Sequence, residues 1–219
     1  VSGAGDGNNS LFTLETNGTL KTATTFDYET NATITATADT GYHFVNWSGD
    51  AVADANASST TIDLTADRNV TANFAIDEHL LTLTAGTGGS VSGNGTFDYD
   101  TNASINATPA TGYHFDYWTG SGVADSASAS TTVSMTTDRN VTANFAIDQH
   151  VLTLTAGAGG TVSGAGTYAY GTNANVAATP TTGYHFVSWA GAGVASSSSA
   201  STTVTMDQNR SVSASFAID

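Results

Sequence analysis

Gly112-Tyr113-His114-Phe115, followed three residues later by Trp118, is the stretch on which the reading of this chain turns. It occurs twice more, as Gly41-Tyr42-His43-Phe44 with Trp47 and as Gly183-Tyr184-His185-Phe186 with Trp189. Both intervals are 71 residues, and all three tryptophans of the protein belong to these copies. A fixed period of that length marks a repeat architecture, in which each copy is one small unit. Side chains alternate across a strand, so Tyr and Phe on either side of a histidine predict a central strand. Its aromatics face a core together with the tryptophan, and His43, His114 and His185 face solvent.

Working outward from that stretch, the second copy shows the pattern best. Leu81 and Leu83 alternate with threonines, as on a half-buried strand. Gly86, Gly88, Gly89, Gly93 and Gly95 then punctuate an expected hairpin around Val91. Phe97 and Tyr99 alternate next, followed by Ala103, Ile105 and Ala107, and Pro109 closes that strand. A Ser/Ala/Gly stretch from Gly120 to Ser130 reads as a loop or short helical turn. Val133 and Met135 predict another strand, and Val141, Ala143, Phe145 and Ile147 the last. No segment sustains a 3.6-residue period. The fold class is therefore mainly β, a tandem array of three small β-rich domains of about 71 residues.

The boundaries follow from the tripeptide Ala-Ile-Asp, which closes each unit. Residues 1–9 read as a flexible Gly- and Asn-rich leader, 10–77 as repeat 1, 78–148 as repeat 2 and 149–219 as repeat 3. Repeat 1 diverges at its start, where Glu15-Thr16-Asn17-Gly18 replaces the glycine-rich run and Ala38 replaces the proline, as expected of a capping unit. Only a few residues, with no Gly, Pro or Ser, separate Ile76 from Leu81 and Ile147 from Leu152. A flexible linker would be rich in those residues, so one unit is expected to run almost directly into the next. Compact units of this size would make a stiff rod on the order of 90 Å long.

Nineteen acidic residues oppose four basic ones, Lys21, Arg68, Arg139 and Arg210, for a net charge of −15. With so few cations to neutralise phosphates, nucleic acid and anionic membrane surfaces are disfavoured partners. No run approaches the 18 or more apolar residues of a spanning helix, so no membrane insertion is expected. The chain lacks cysteine, which leaves the redox compartment open. Its first residue is Val, not Met, so it reads as processed or as part of a longer protein.

The ordered blocks Leu-Thr-Leu-Thr-Ala (81–85), Thr-Phe-Asp-Tyr (96–99), Ile-Asn-Ala-Thr-Pro (105–109), Gly-Tyr-His-Phe with Trp118-Thr119-Gly120, and Asn-Val-Thr-Ala-Asn-Phe (140–145) resemble the divergent internalin-type B repeat, also called the Listeria–Bacteroides repeat. The resemblance covers nearly the whole chain in three copies. It implies a compact β-grasp-like fold in each unit and a secreted or surface-anchored protein, hence an extracellular or cell-surface location. It brings no catalytic residues, because the shared positions are glycines, aromatics and strand apolars.

Candidate chemistry is sparse. The three repeated histidines lie too far apart in sequence to converge on a metal, whereas His79 and His150 stand in the junctions beside Asp77-Glu78 and Asp148-Gln149, where each can pair with an acid or lend a metal ligand between units. Calcium prefers carboxylate oxygens, and Asp98, Asp100 and Asn102, with Asp27, Glu29 and Asn31 one repeat earlier, are weak candidates. In repeat 3 the run becomes Ala169, Gly171 and Asn173, and alternation makes it an acidic stripe on one solvent face. Serines 196 to 199 read as loop filling, and no catalytic set or cofactor is expected. Eleven Asn-x-Ser/Thr sequons are acceptors only if the source N-glycosylates exported proteins.

These readings converge on a non-enzymatic extracellular structural module, stalk or spacer repeats of a cell-surface adhesin. One alternative is the subunit of a self-assembling filament, joined by β-strand addition through the leader or an edge strand. Another is a carbohydrate-binding module that uses the repeated Tyr and Trp as stacking platforms. The expected partners are neighbouring repeats and copies of the chain itself, with surface glycans or a cell-surface protein as further candidates.

Overall fold

In the computed structural model the described residues are 12–14, 20–22 and 31–219, and every regular element among them is a β-strand. The leader at residues 1–9, Asp27 and Glu29 lie outside the described residues. Repeat 1 contributes β1 (Phe12–Leu14), β2 (Leu20–Thr22), β3 (Asn31–Thr35), β4 (Tyr42–Gly49), β5 (Ser59–Asp63) and β6 (Val70–Ile76). Repeat 2 contributes β7 (Glu78–Ala85), β8 (Gly89–Ser92), β9 (Gly95–Asp98), β10 (Thr101–Pro109), β11 (Tyr113–Thr119), β12 (Ser130–Met135) and β13 (Arg139–Ile147). Repeat 3 contributes β14 (Gln149–Ala156), β15 (Gly160–Ser163), β16 (Gly166–Ala169), β17 (Thr172–Pro180), β18 (Tyr184–Ala190), β19 (Ser201–Met206) and β20 (Arg210–Ile218).

The contacts divide the chain into two compact units, one of residues 1–81, 95–103 and 134–139, the other of residues 82–94, 104–133 and 140–219. In the first, β3 pairs with β5 and β4 with β6, both antiparallel. Ile34, Ala36, Trp47, Ile62, Val70 and Ala72 form its buried cluster, with Phe44 and Phe74 packed against it at a ring separation of 6.0 Å, edge to face.

The second unit holds all of repeat 3, which shows the architecture completely. Two sheets form, a four-stranded one in the order β16-β14-β20-β18 and a three-stranded one in the order β15-β17-β19. Neighbours are antiparallel except β14 and β20, the first and last strands, which run parallel from Leu152↔Arg210 to Ala156↔Ala214. The core lies among Leu152, Ala174, Val176, Trp189, Val204, Met206 and Val212. Period-two sequence builds it directly: in β17 the inward Ala174, Val176 and Ala178 are buried while Asn173 and Asn175 are exposed, and Pro180, which cannot donate to a ladder, is the last residue. At about 1.5–3 kcal/mol per buried large side chain, such a core is small, and each side chain in it matters.

Two expectations are corrected. The glycine-rich segment around Val91 is not a hairpin of adjacent strands: β7 pairs with β9, and β8 instead pairs with β10. In repeat 3 the same crossing sends β15 to the three-stranded sheet while β14 and β16 share the other. The Gly-Tyr-His-Phe strand is not central either, because β18 is the edge and β14 and β20 are the inner strands.

The expected burial of tryptophan beside phenylalanine needs a departure from strict alternation. Phe and Trp stand three residues apart, so a regular strand would put them on opposite faces. Each copy carries a β-bulge between them, at Phe44/Asn46, Phe115/Tyr117 and Phe186/Ser188, where one extra residue resets the alternation. Trp47, Trp118 and Trp189 are thereby buried, each ring 5.5 to 5.8 Å from its own Phe44, Phe115 or Phe186.

Candidate functional site

The repeated tryptophans are structural pins. Trp47, Trp118 and Trp189 each donate the indole Nε1–H to a carbonyl ten residues on, at Ala57, Ser128 and Ser199, all at 3.0 Å. Each also donates its backbone N–H to a carbonyl eight residues on, at Ala55, Ser126 and Ser197. The low-complexity loop after the signature strand is thus held to that strand at two points. A buried indole offers no face to a sugar, which corrects the reading of the tryptophans as stacking platforms. In the serine run, Ser196 receives the Thr202 hydroxyl as acceptor for its N–H, and the Ser199 hydroxyl donates to the Ser201 carbonyl.

The repeated histidines are exposed, and each has a partner that sequence reading missed. Nδ1 of His43 lies 2.7 Å from Asp77 Oδ1, that of His114 2.7 Å from Asp148 Oδ1, and that of His185 3.0 Å from Asp219 Oδ1. An ionised carboxylate only accepts, so Nδ1 carries the proton in these pairs. The spacing is 34 residues in every case, from the signature strand to the residue after the last strand. The junction acids therefore serve the signature histidines and not their sequence neighbours. His79 stands 3.6 Å from Asp138, beyond hydrogen-bond reach, and Asp138 Oδ1 instead accepts the Leu80 N–H at 2.8 Å. His150 packs 6.1 Å from the Tyr170 ring, and its Nε2 is buried without a hydrogen-bond partner.

Of the weak calcium candidates, Asp98, Asp100 and Asn102 are all exposed. Asp98 ends β9, Asp100 occupies a turn at φ 61°, and Asn102 lies in β10, so the turn interrupts the alternation. Asn31 opens β3. Among the described residues no group of three or more His, Asp or Glu side chains gathers to hold a metal ion.

The densest constellation lies where one repeat meets the next. A single residue, Asp77, separates β6 from β7, and Asp148 likewise separates β13 from β14. Asp77 donates its N–H to the Gly41 carbonyl at 2.8 Å and accepts the Tyr99 N–H at 2.7 Å. Asp148 repeats this with Gly112 and Tyr170, both at 2.8 Å. Gly41 and Gly112 adopt φ near +80°, and the tyrosine ring of the following repeat covers each. A Cβ on Gly41 would come within 2.0 Å of Tyr99, and one on Gly112 within 2.1 Å of Tyr170. Gly-Tyr-His-Phe thus supplies two groups to the joint, the glycine as a seat for tyrosine and the histidine as a clamp on aspartate.

Such a fold and joint define a class, tandem small β repeats whose repeated residues are used for packing and connection. The sequence profile of the divergent InlB B-repeat domain matches residues 11–78, 79–149 and 150–219, and the chain belongs to that family. The family is one of structural repeats associated with bacterial cell-surface proteins. A search of curated proteins returns no match.

Proposed function

We propose that the chain is a non-enzymatic extracellular structural module, spacer repeats in the stalk of a cell-surface adhesin. The observation that carries this reading is the joint. A spacer must hold one unit against the next, and here one aspartate does so with its N–H, its carbonyl and its carboxylate together. The net charge of −15 suits a surface kept dispersed by its own repulsion. The family's association with cell-surface proteins supports the location.

Electron microscopy and light scattering of the purified chain at micromolar concentration test the reading. Dispersed monomers are expected. Regular fibres under those conditions would sink the spacer and leave the filament subunit in its place.

A further inference from the structure

The outer face of the three-stranded sheet carries the same open groove in repeats 2 and 3. In repeat 2 it lies between Ser92 and Gly93 at the end of β8, residues 104–106 of β10 and residues 130–132 of β12, with a volume of about 500 Å³. In repeat 3 the counterparts 71 residues on, Ser163 and Gly164, residues 175–177 and residues 201–203, leave about 470 Å³. Glycine shapes one wall. Gly93 and Gly164 adopt φ of +111° and +104°, and a Cβ there would come within 2.2 Å of the Ser104 carbonyl and 2.1 Å of the Asn175 carbonyl. The end of β8 or β15 thus lies directly against the middle strand. Along that strand, alternation sends Ile105 and Val176 into the core and leaves Ser104 and Asn175 exposed.

We propose that these two grooves bind a neutral polysaccharide, each taking a short stretch of its sugars. Three observations choose that ligand. No residue lining either groove is ionisable, in a chain with nineteen acids, so a metal ion, a phosphate or a charged peptide meets no counter-charge there. No aromatic ring lines them, and the branched apolar side chains of Ile105 and Val176 are buried, so an apolar ligand gains no contact area. What the grooves do offer is unspent hydrogen bonding. The hydroxyls of Ser92, Ser104 and Thr132 bond to no other described residue, and neither do the hydroxyls of Ser163 and Thr203 or the amide of Asn175. Hydroxyls and side-chain amides both donate and accept, as every sugar hydroxyl does. Each groove presents one amide, Asn106 in repeat 2 and Asn175 in repeat 3, where Ala177 replaces the former. The Ser130 hydroxyl donates to Asn106 Oδ1, and Asn106 Nδ2 donates to the Thr108 hydroxyl at 3.1 Å, which fixes that amide with one N–H to spare. Cavities of about 300–1,000 Å³ hold drug-sized molecules, so a short oligosaccharide segment fits, and the open form lets a longer polymer run on. Both grooves belong to one compact unit, so a polymer that engages both gains from the effective concentration of the second site. The signature aromatics take no part.

Affinity electrophoresis of the full chain tests the proposal, in native gels cast with dextran, galactomannan or mixed-linkage β-glucan, and with alginate as the anionic polymer. Mobility is expected to fall as the concentration of at least one neutral polymer rises, and to stay constant in alginate. Ser104→Ile and Asn175→Ile each put a branched side chain into one groove at an exposed strand position that accepts it. Either alone is expected to raise the half-retarding concentration by about 10²-fold, the gain that two linked sites share, and the two together should abolish retardation. If the isoleucine variants lose native circular dichroism, Thr132→Val with Thr203→Val removes one hydroxyl from each groove at nearly constant shape and should weaken retardation. Constant mobility in all three neutral gels overturns the proposal. Retardation in alginate as strong as in the neutral gels overturns it as well. Full retardation of the substituted chains also overturns it, and assigns the sugar contact to another face. The spacer reading stands in each case, because it is tested by the dispersal of the chain and not by sugar binding.

Discussion

Glycine at the joint is required for two reasons that substitution can separate. The backbone at Gly112 and Gly183 has φ of +80° and +84°, a region where a Cβ costs about 1–2 kcal/mol. Only Gly112 has a tyrosine ring where the Cβ would go. Gly183→Ala at micromolar concentration is therefore expected to lose only the backbone share. Gly112→Ala should lose that plus an overpacking cost of about 1–3 kcal/mol, or displace the Tyr170 ring. Chemical denaturation of the two variants measures the difference, and equal losses would show that the tyrosine contact carries no energy. The neighbouring His114–Asp148 pair is exposed, and solvent-exposed pairs contribute about 0–1 kcal/mol. At this joint the packing of glycine under tyrosine outweighs the ion pair beside it.

At the scale of the strand, the bulge decides which way tryptophan faces. Deleting Asp116 from β11 removes the extra residue between Phe115 and Tyr117 and restores strict alternation. Trp118 would then swing to the solvent face, with a loss comparable to the 3–5 kcal/mol of removing a buried tryptophan. Tryptophan emission of this variant should shift to the red by about a third of the full unfolding change, since one indole of three is affected. An unshifted spectrum would show that the strand re-registers instead. The same feature marks the limit of sequence reading. Runs such as Ala103, Ile105 and Ala107 announce their strand and its buried face because one alternation spans the whole element. Phe115 and Trp118 break parity, and no glycine or proline between them signals a bulge. The destination of β8 was equally hidden, because a short strand flanked by glycines can pair on either side. The His–Asp pairs join residues 34 apart across a strand pairing that local pattern does not encode.

For the molecule as a whole, charge opposes compactness. Nineteen acids against four bases leave an excess that screening relieves, so thermal stability should rise with sodium chloride. A gain of about 1 kcal/mol per repeat would raise the melting temperature by about 4–8 °C, and calorimetry at low and high salt measures it. A flat or falling melting temperature would mean that the acids are already balanced locally. At this scale the sequence was at its most informative, because a 71-residue period survives every local irregularity, and the family profile matches three tandem copies. One last consequence belongs to the parallel pairing of β14 with β20. The chain enters repeat 3 at the start of β14 and leaves it at the end of β20, and the two strands lie side by side from Leu152↔Arg210 to Ala156↔Ala214. Tension along the chain therefore pulls these strands lengthwise past each other and loads their shared hydrogen bonds together, where peeling would load them one at a time. In single-molecule pulling, handles at residues 149 and 219 should need a higher rupture force than handles that peel edge strand β18 from β20. A repeat of ordinary thermal stability would in this way yield late to traction.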